Sequence, residues 1–305
     1  MYYKILWFDD EHETLEDIKE NALLKKIKLI GFKNADDGLK ILLNNPNQYD
    51  GVLLDGLFFK TSNQSGDAVS GEAFGEVAKV LGNLKAQGNI IPWFIYSGQK
   101  SFVKDKNELV NVLVDKSFAN GKVFDKNIVD DFEELCSEII KEADKRPVTN
   151  VRHINPELFE IFELGYLPEA VEDNLLELLI KPLPSNNSEL KAILTNIRSI
   201  HESCLLKLEN IKVIPDSKDS FNNIIRHLSG NVSKDHGWKP TSTVYQTREI
   251  QNLHEWIYYT CGTYIHNLKD QHYAGYMISN YSVDSLRNGL LEILLWFKKT
   301  YEENK

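Results

Sequence analysis

The sequence predicts an α/β domain on a doubly wound parallel sheet, followed by an all-helical domain. Three observations predict this. Residues 1–145 alternate short apolar runs with segments of helical spacing, each run ends in a charged or polar residue, and beyond Asp144–Lys145–Arg146–Pro147 only helical patterns remain. Strands buried on both faces read as near-continuous hydrophobic runs, and strict alternation with helices places them in a parallel sheet. A chain of 305 residues is long enough for two cores. We divide it at 1–146 and 147–305.

Taken in order, the run Tyr3–Ile5–Leu6–Trp7–Phe8 is the first strand and ends in Asp9–Asp10–Glu11. Thr14, Leu15, Ile18 and Leu23 have helical spacing. Ile27–Leu29–Ile30–Phe32 reads as the second strand, and Asp36 and Asp37 are placed to cap a helix that stops at Asn45–Pro46. Val52–Leu53–Leu54 is the third strand and ends in Asp55; a polar stretch, Lys60–Thr61–Ser62–Asn63–Gln64–Ser65–Gly66, then precedes a helix over 71–85. The fourth strand, Ile90 to Tyr96, ends in Ser97 and leads to a helix around 104–118. Val123–Phe124–Asp125 is the fifth, ends in Lys126 and leads to a helix over 128–144. These are five βα units.

The second half carries helical patterns at 156–163, 168–180, 186–211, 219–229, 247–267 and 283–302. Its longest apolar stripe is Leu190–Ile193–Leu194–Ile197–Ile200–Cys204–Leu208, at the spacing of an amphipathic helix. Ser229–Gly230–Asn231 and Gly237–Trp238–Lys239–Pro240 punctuate loops. A compact helical bundle is expected.

Composition narrows the function. A net charge of −10, about −6 over residues 1–149 and about −4 beyond, leaves no strongly basic module and argues against DNA binding. Cys136, Cys204 and Cys261 are scattered, which predicts reduced thiols and no zinc site. No apolar run approaches the roughly 20 residues needed to span a bilayer, and the start lacks a signal pattern. A soluble, cytoplasmic protein is expected.

The chemistry is expected at the strand ends. In an open α/β sheet the ligand crevice lies beyond the carboxyl ends of the strands, so Asp9, Asp10, Asp55, Ser97 and Lys126 should converge there. Three carboxylates that close repel one another unless a cation joins them, and carboxylate oxygens with water are what Mg²⁺ takes. A hydroxyl and an ammonium suit the outer oxygens of a phosphoryl group. The set reads as an aspartate phosphorylation site, with Asp55 as a carboxylate nucleophile.

These residues carry a family resemblance. Ile5–Leu6–Trp7–Phe8–Asp9–Asp10–Glu11, Asp55 about 45 residues later, Ser97 and Lys126 resemble, in order and strand-end placement, the receiver domain of bacterial two-component response regulators. The resemblance covers residues 3–140 and implies a flavodoxin-like fold. It implies that Asp55 is the phosphoacceptor, that Asp9 and Asp10 hold Mg²⁺ together with Asp55, and that Ser97 and Lys126 contact the phosphoryl group. A sensor histidine kinase or a small phosphodonor would supply the phosphate, and receivers often pair, so a homodimer through this domain or the helical one is expected. Four departures stand out: the stretch after Asp55 is longer by about ten residues, read as a surface insertion; Gly98 replaces a frequent alanine; Asn127 replaces the usual proline; and Val123 stands where the switch aromatic normally lies. Lys116 is a rival for the lysine role, but it sits in helical periodicity, whereas Lys126 closes a short strand opened by Gly121.

A second, shorter resemblance is to HEPN-like helical domains of prokaryotic defence and stress systems. It rests on Ile197–Arg198–Ser199–Ile200–His201–Glu202 and on Cys261–Gly262–Thr263–Tyr264–Ile265–His266–Asn267. Nuclease members carry an arginine followed after four to six residues by a histidine. Arg248 and His254 satisfy that spacing, whereas Tyr259, Thr260 and Cys261 precede His266 in place of an arginine. The resemblance implies, as the alternative, an RNase with a histidine as general acid or base, and only then an RNA partner. The plainer reading makes His254 a helix-face residue and His266 a hydrogen-bonded, partly buried one. Tyr258, Tyr259, Tyr264, Tyr273, Tyr276 and Tyr281 are read as the edge of a bundle core. The function expected is a signalling protein in which phosphorylation of Asp55 switches a helical output domain.

Overall fold

A computed structural model describes residues 1–66, 69, 71–98, 116–216, 218–231, 243–266 and 278–305. Most of the expected helix around 104–118, the segment Gly237–Trp238–Lys239–Pro240, and Tyr273 and Tyr276 lie outside the described residues. The chain divides into two compact units, Met1–His153 and Ile154–Lys305.

In the first unit, β1 (Tyr3–Phe8), β2 (Ile27–Phe32), β3 (Gly51–Leu54), β4 (Trp93–Ser97) and β5 (Val123–Asp125) form one sheet in the order β2-β1-β3-β4-β5. Every pairing is parallel. Successive side chains of a strand face opposite ways. Leu6 and Phe8 of β1, with Leu54 and Ile95, therefore pack into one apolar cluster with α2 (Ala35–Asn44) and α3 (Gly71–Ala86). Ile5 and Trp7, with Leu53, Phe94 and Phe124, pack into another with α1 (Glu16–Leu24) and α4 (Val129–Ala143). Both faces are covered, which is why the strands read as continuous rather than alternating apolar runs. Gly38 brings α2 close to β1: a methyl group there would meet the Phe8 ring at 2.2 Å.

Local details differ from the sequence reading. The α2 cap is Asn34, whose Oδ1 accepts from the Asp37 amide at 2.9 Å, and Asp36 and Asp37 instead occupy the first turn, where the helix dipole favours them. β4 begins only at Trp93; Ile90 is exposed. The polar insert after Asp55 is partly built in. Phe58 is fully buried against Phe8, Phe59 pairs with Asn34 as an isolated parallel bridge, and the Gln64 side chain accepts from the Lys60 and Thr61 amides at 2.7 and 3.0 Å.

The boundary read at 146/147 opens a helix, α5 (Pro147–Ile154), with Pro147 at its first position, where a missing N–H costs nothing. Its side chains return to the amino-terminal edge of the sheet. Asp50, nearly fully buried, accepts from the Lys4 amide and the Thr149 hydroxyl at 2.8 and 2.7 Å, with Arg152 4.0 Å away. Arg152 also donates to the Asn47 carbonyl at 2.7 Å, Arg146 to the Tyr49 carbonyl, and Tyr3 stacks on His153. These contacts place residues 147–153 with the first unit.

The second unit is helical: α6 (Pro156–Glu163), α7 (Glu169–Ile180), α8 (Asn187–Asn210), α9 (Phe221–Leu228), α10 (Arg248–His266) and α11 (Asn280–Asn304). All seven residues of the Leu190–Leu208 stripe are buried, and α8 packs against α7, α10 and α11. Asn186 caps α8, and Glu189 reaches back to the Ser185 amide at 2.8 Å, a reciprocal cap that fixes where the long helix starts. Among the described residues no helix is long and apolar enough to cross a membrane. Cys136, Cys204 and Cys261 are buried free thiols.

Candidate functional site

The carboxyl edge of the sheet collects the residues singled out in the sequence. Asp9 follows β1 and Asp55 follows β3; since Phe8 pairs with Leu54, the two carboxylates leave adjacent strands at the same level. Ser97 is the last residue of β4 and pairs in register with Asp125, which puts Lys126 one step beyond. The Phe8 carbonyl accepts from the Asp55 amide at 2.8 Å and the Ser97 carbonyl accepts from the Lys126 amide at 3.2 Å, so the ladder itself extends to the site.

The side chains converge as the strands dictate. Lys126 Nζ lies 2.5 Å from Asp9 Oδ2 and 2.9 Å from Asp55 Oδ2. The Ser97 hydroxyl hydrogen-bonds the Asp55 carboxylate. Asp9 Oδ1 accepts from the Glu11 amide at 2.9 Å and Asp55 Oδ1 from the Gly56 amide at 2.6 Å. Asp9, Asp10 and Asp55 each offer an oxygen, all within 4.8 Å of one another. Asp9 is fully buried and Asp10 and Asp55 are half-buried, while the rival Lys116 is exposed.

Electrostatics follow from this packing. Burial pushes the Asp55 carboxyl above its ordinary range, with Asp9 adding to the rise; the Lys126 ammonium and the Ser97 hydroxyl pull the other way. Burial also raises Asp10, as do Asp9 and Asp55 beside it. The Lys126 ammonium is held charged by Asp55 and Asp9 against the cost of its own burial. One ammonium against three clustered carboxylates leaves a net negative crevice, a donor set that fits a hard divalent cation.

Two departures from the receiver pattern acquire a structural description. Asn127 Nδ2 donates to Asp125 Oδ1 at 2.8 Å and to the Gly98 carbonyl at 3.4 Å, joining the two loops that flank Lys126. Val123 is half-buried against the cluster that includes Ile95 and Trp93.

The histidines and tyrosines of the second unit differ in placement. His254 lies on the buried face of α10: it is fully buried, and its Nδ1 lies 2.6 Å from Nε2 of His201, also fully buried. The outer nitrogens, His201 Nδ1 and His254 Nε2, have no hydrogen-bond partner among the described residues. Burial lowers His201 to about 4, helped by Arg198, and holds His254 well below its ordinary value, helped by His201. The signal for this pairing was available, since His201 falls in the apolar stripe of α8 and His254 lies between Ile250, Ile257 and Cys261 at helical spacing. Of the tyrosines, Tyr259 and Tyr281 are exposed rather than core, and Tyr258 is half-buried, stacked on Phe221. The His266 side chain lies outside the described residues.

A comparison with family models finds no match, and a comparison with curated proteins finds none either.

Proposed function

We propose that the α/β unit is a receiver-like phosphoacceptor of the flavodoxin-like type, in which Asp55 takes a phosphoryl group and so signals through the helical unit. The observation that carries this is the Lys126 ammonium bridging Asp9 and Asp55, with Asp10 and Ser97 in the same strand-end crevice. The strand order 2-1-3-4-5 is one that doubly wound sheets of this type take, with the ligand at the carboxyl ends.

In this reading Asp9, Asp10 and Asp55 hold Mg²⁺, which when bound neutralises charge on the phosphoryl oxygens. An Asp55 oxygen attacks phosphorus in line with the leaving group. The new O–P bond makes an acyl phosphate, and the donor leaves with the electron pair of the bond that breaks. Lys126 and Ser97, already on the Asp55 carboxylate, turn to the outer phosphoryl oxygens and stabilise charge there. Burial and Asp9 disfavour the bare Asp55 carboxylate, whereas Lys126 and Ser97 favour it and hold it toward the ionised form that attacks. The partner is a sensor kinase or a small phosphodonor, and the net charge of −10 supports an output other than DNA binding.

With Mg²⁺ and acetyl phosphate the protein should gain one hydroxylamine-labile phosphoryl group, read by mass spectrometry, and Asp55→Asn should abolish it. Undiminished labelling of Asp55→Asn would refute the assignment. The RNase alternative draws no support from His254, which is sealed in the core and bonded to His201.

A further inference from the structure

A cavity of about 440 Å³ opens in the helical unit between α8, the start of α9 and α10. Small-molecule sites begin at roughly 300 Å³. Its wall holds a preorganised guanidinium. Arg198 Nε donates to Glu202 Oε1 at 2.7 Å, and the guanidinium lies over the Tyr258 ring at 5.0 Å. The Tyr258 ring is itself stacked flat on Phe221, with centroids 3.8 Å apart and an interplanar angle of 1°. Gly262 completes the clamp, because a β-carbon there would come within 3.2 Å of Arg198 Nη1. The side chain is thus fixed by an ion pair, an aromatic face and a missing methyl, all before any ligand arrives.

Hydrogen-bond donors around it remain unused. Glu202 occupies Nε only; among the described residues no acceptor takes the terminal nitrogens of Arg198 or the ammonium of Lys218. Asp219, the other carboxylate at the cavity, already accepts from the Ser220 amide at 2.6 Å and from Asn223 Nδ2 at 3.0 Å. Two cations from different elements therefore face one cavity, with the Ser199 hydroxyl beside them and Leu206 and Ile224 as apolar lining. A guanidinium fork matches two oxygens of one group, and a lysine adds a point charge. A monocarboxylate would use the fork alone, whereas a phosphate dianion uses both.

We propose that this cavity binds a small phosphate monoester, its dianion between Arg198 and Lys218 and its organic part against Leu206 and Ile224. The site is separate from the strand-end crevice and does not depend on Asp55 being phosphorylated. Calorimetric titration of the full-length Asp55→Asn protein with phenyl phosphate, in the absence of Mg²⁺, tests it. One equivalent should bind, and benzoate should bind at least about tenfold more weakly. Arg198→Ala should weaken phenyl phosphate about tenfold or more, and Arg198→Lys should recover only part of the loss, because it keeps charge without the fork. Lys218 is exposed, so Lys218→Glu leaves the fold intact and should weaken binding even if Arg198→Ala proves unstable. No saturation up to about 10 mM would overturn the proposal. So would equal affinity for benzoate, or binding that both Arg198→Ala and Lys218→Glu leave unchanged.

Discussion

The strand-end crevice and the His201–His254 pair both bury titratable groups, and they do so to opposite ends. In the crevice, unlike charges meet at 2.5 and 2.9 Å, and two of the carboxylates remain partly open to solvent. In the pair, two neutral imidazoles meet at 2.6 Å in a sealed helical interior. The crevice stands where strands end, so ligand and metal can approach; the pair stands mid-helix on α8 and α10, where nothing can. Burial alone therefore does not mark a reactive site. What marks it is burial with unlike charges and a route to water.

The sharpest way to break the comparison is to remove the cation that the crevice contains. Lys126→Met leaves Asp9 fully buried beside Asp55 with no counter-charge. Stability without Mg²⁺ should fall by about 3–5 kcal/mol, the loss typical of breaking one side of a buried pair. Urea denaturation measures it. A loss under about 1 kcal/mol would mean that the pair behaves as a surface salt bridge.

The second prediction contrasts the pH slopes. Both histidines are held below their ordinary value, so as pH falls from about 6.5 towards 4 the unfolded chain takes up protons that the folded chain refuses, and stability drops. For His201 alone the drop is on the order of 3 kcal/mol. Asp55 has the reverse sign: its raised carboxyl contributes stability while protonated and loses it as pH rises through the folded value. His201→Leu/His254→Leu should flatten the slope between pH 6.5 and 4 without loss at pH 7, since replacing both partners by apolar groups removes the need for either. An unchanged slope would assign it to other groups.

A smaller effect concerns the cation. Millimolar Mg²⁺ should raise the thermal midpoint by an amount equivalent to about 1–3 kcal/mol, following the mass-action stabilisation of a folded-state ligand. Asp10→Asn should remove most of the rise while leaving the metal-free midpoint close to wild type. A full rise in that variant would place the cation elsewhere. The smallest effect is expected at Asn127. Its side chain is exposed, so Asn127→Ala should cost less than about 1 kcal/mol. If its link to Gly98 steadies Lys126, the variant should nevertheless slow phosphoryl uptake from acetyl phosphate.

How much of this was legible follows from which forces are local. The strands and the residues ending them were readable because two-sided burial writes apolar runs and strand ends collect polar groups. The five residues from β1, β3, β4 and β5 therefore come together at the predicted edge. The bridge between Asn34 and Phe59 was not readable, because it pairs backbone with backbone across sequence-distant loops and leaves no mark on composition. Helix α5 was hidden by Pro147, which looks like a breaker until it falls at a first helical position. The exposure of Tyr259 and Tyr281 shows a further limit: helical spacing gives a face, but which helix covers it is decided by the tertiary packing.

The Asp50 contacts also govern where this protein can be cut. A fragment ending at Arg146, the break that a change of sequence pattern suggests, would strip Thr149 and Arg152 from a carboxylate that is only 3% exposed. It would also remove His153 from the face of Tyr3. Such a fragment would carry a buried anion with its side-chain partners gone, and would tend to aggregate or be degraded when expressed alone. One ending at His153 keeps the Thr149 hydroxyl, the Arg152 guanidinium and the ring stack. Anyone dissecting the α/β half should therefore treat the first two turns of the following helix as part of it.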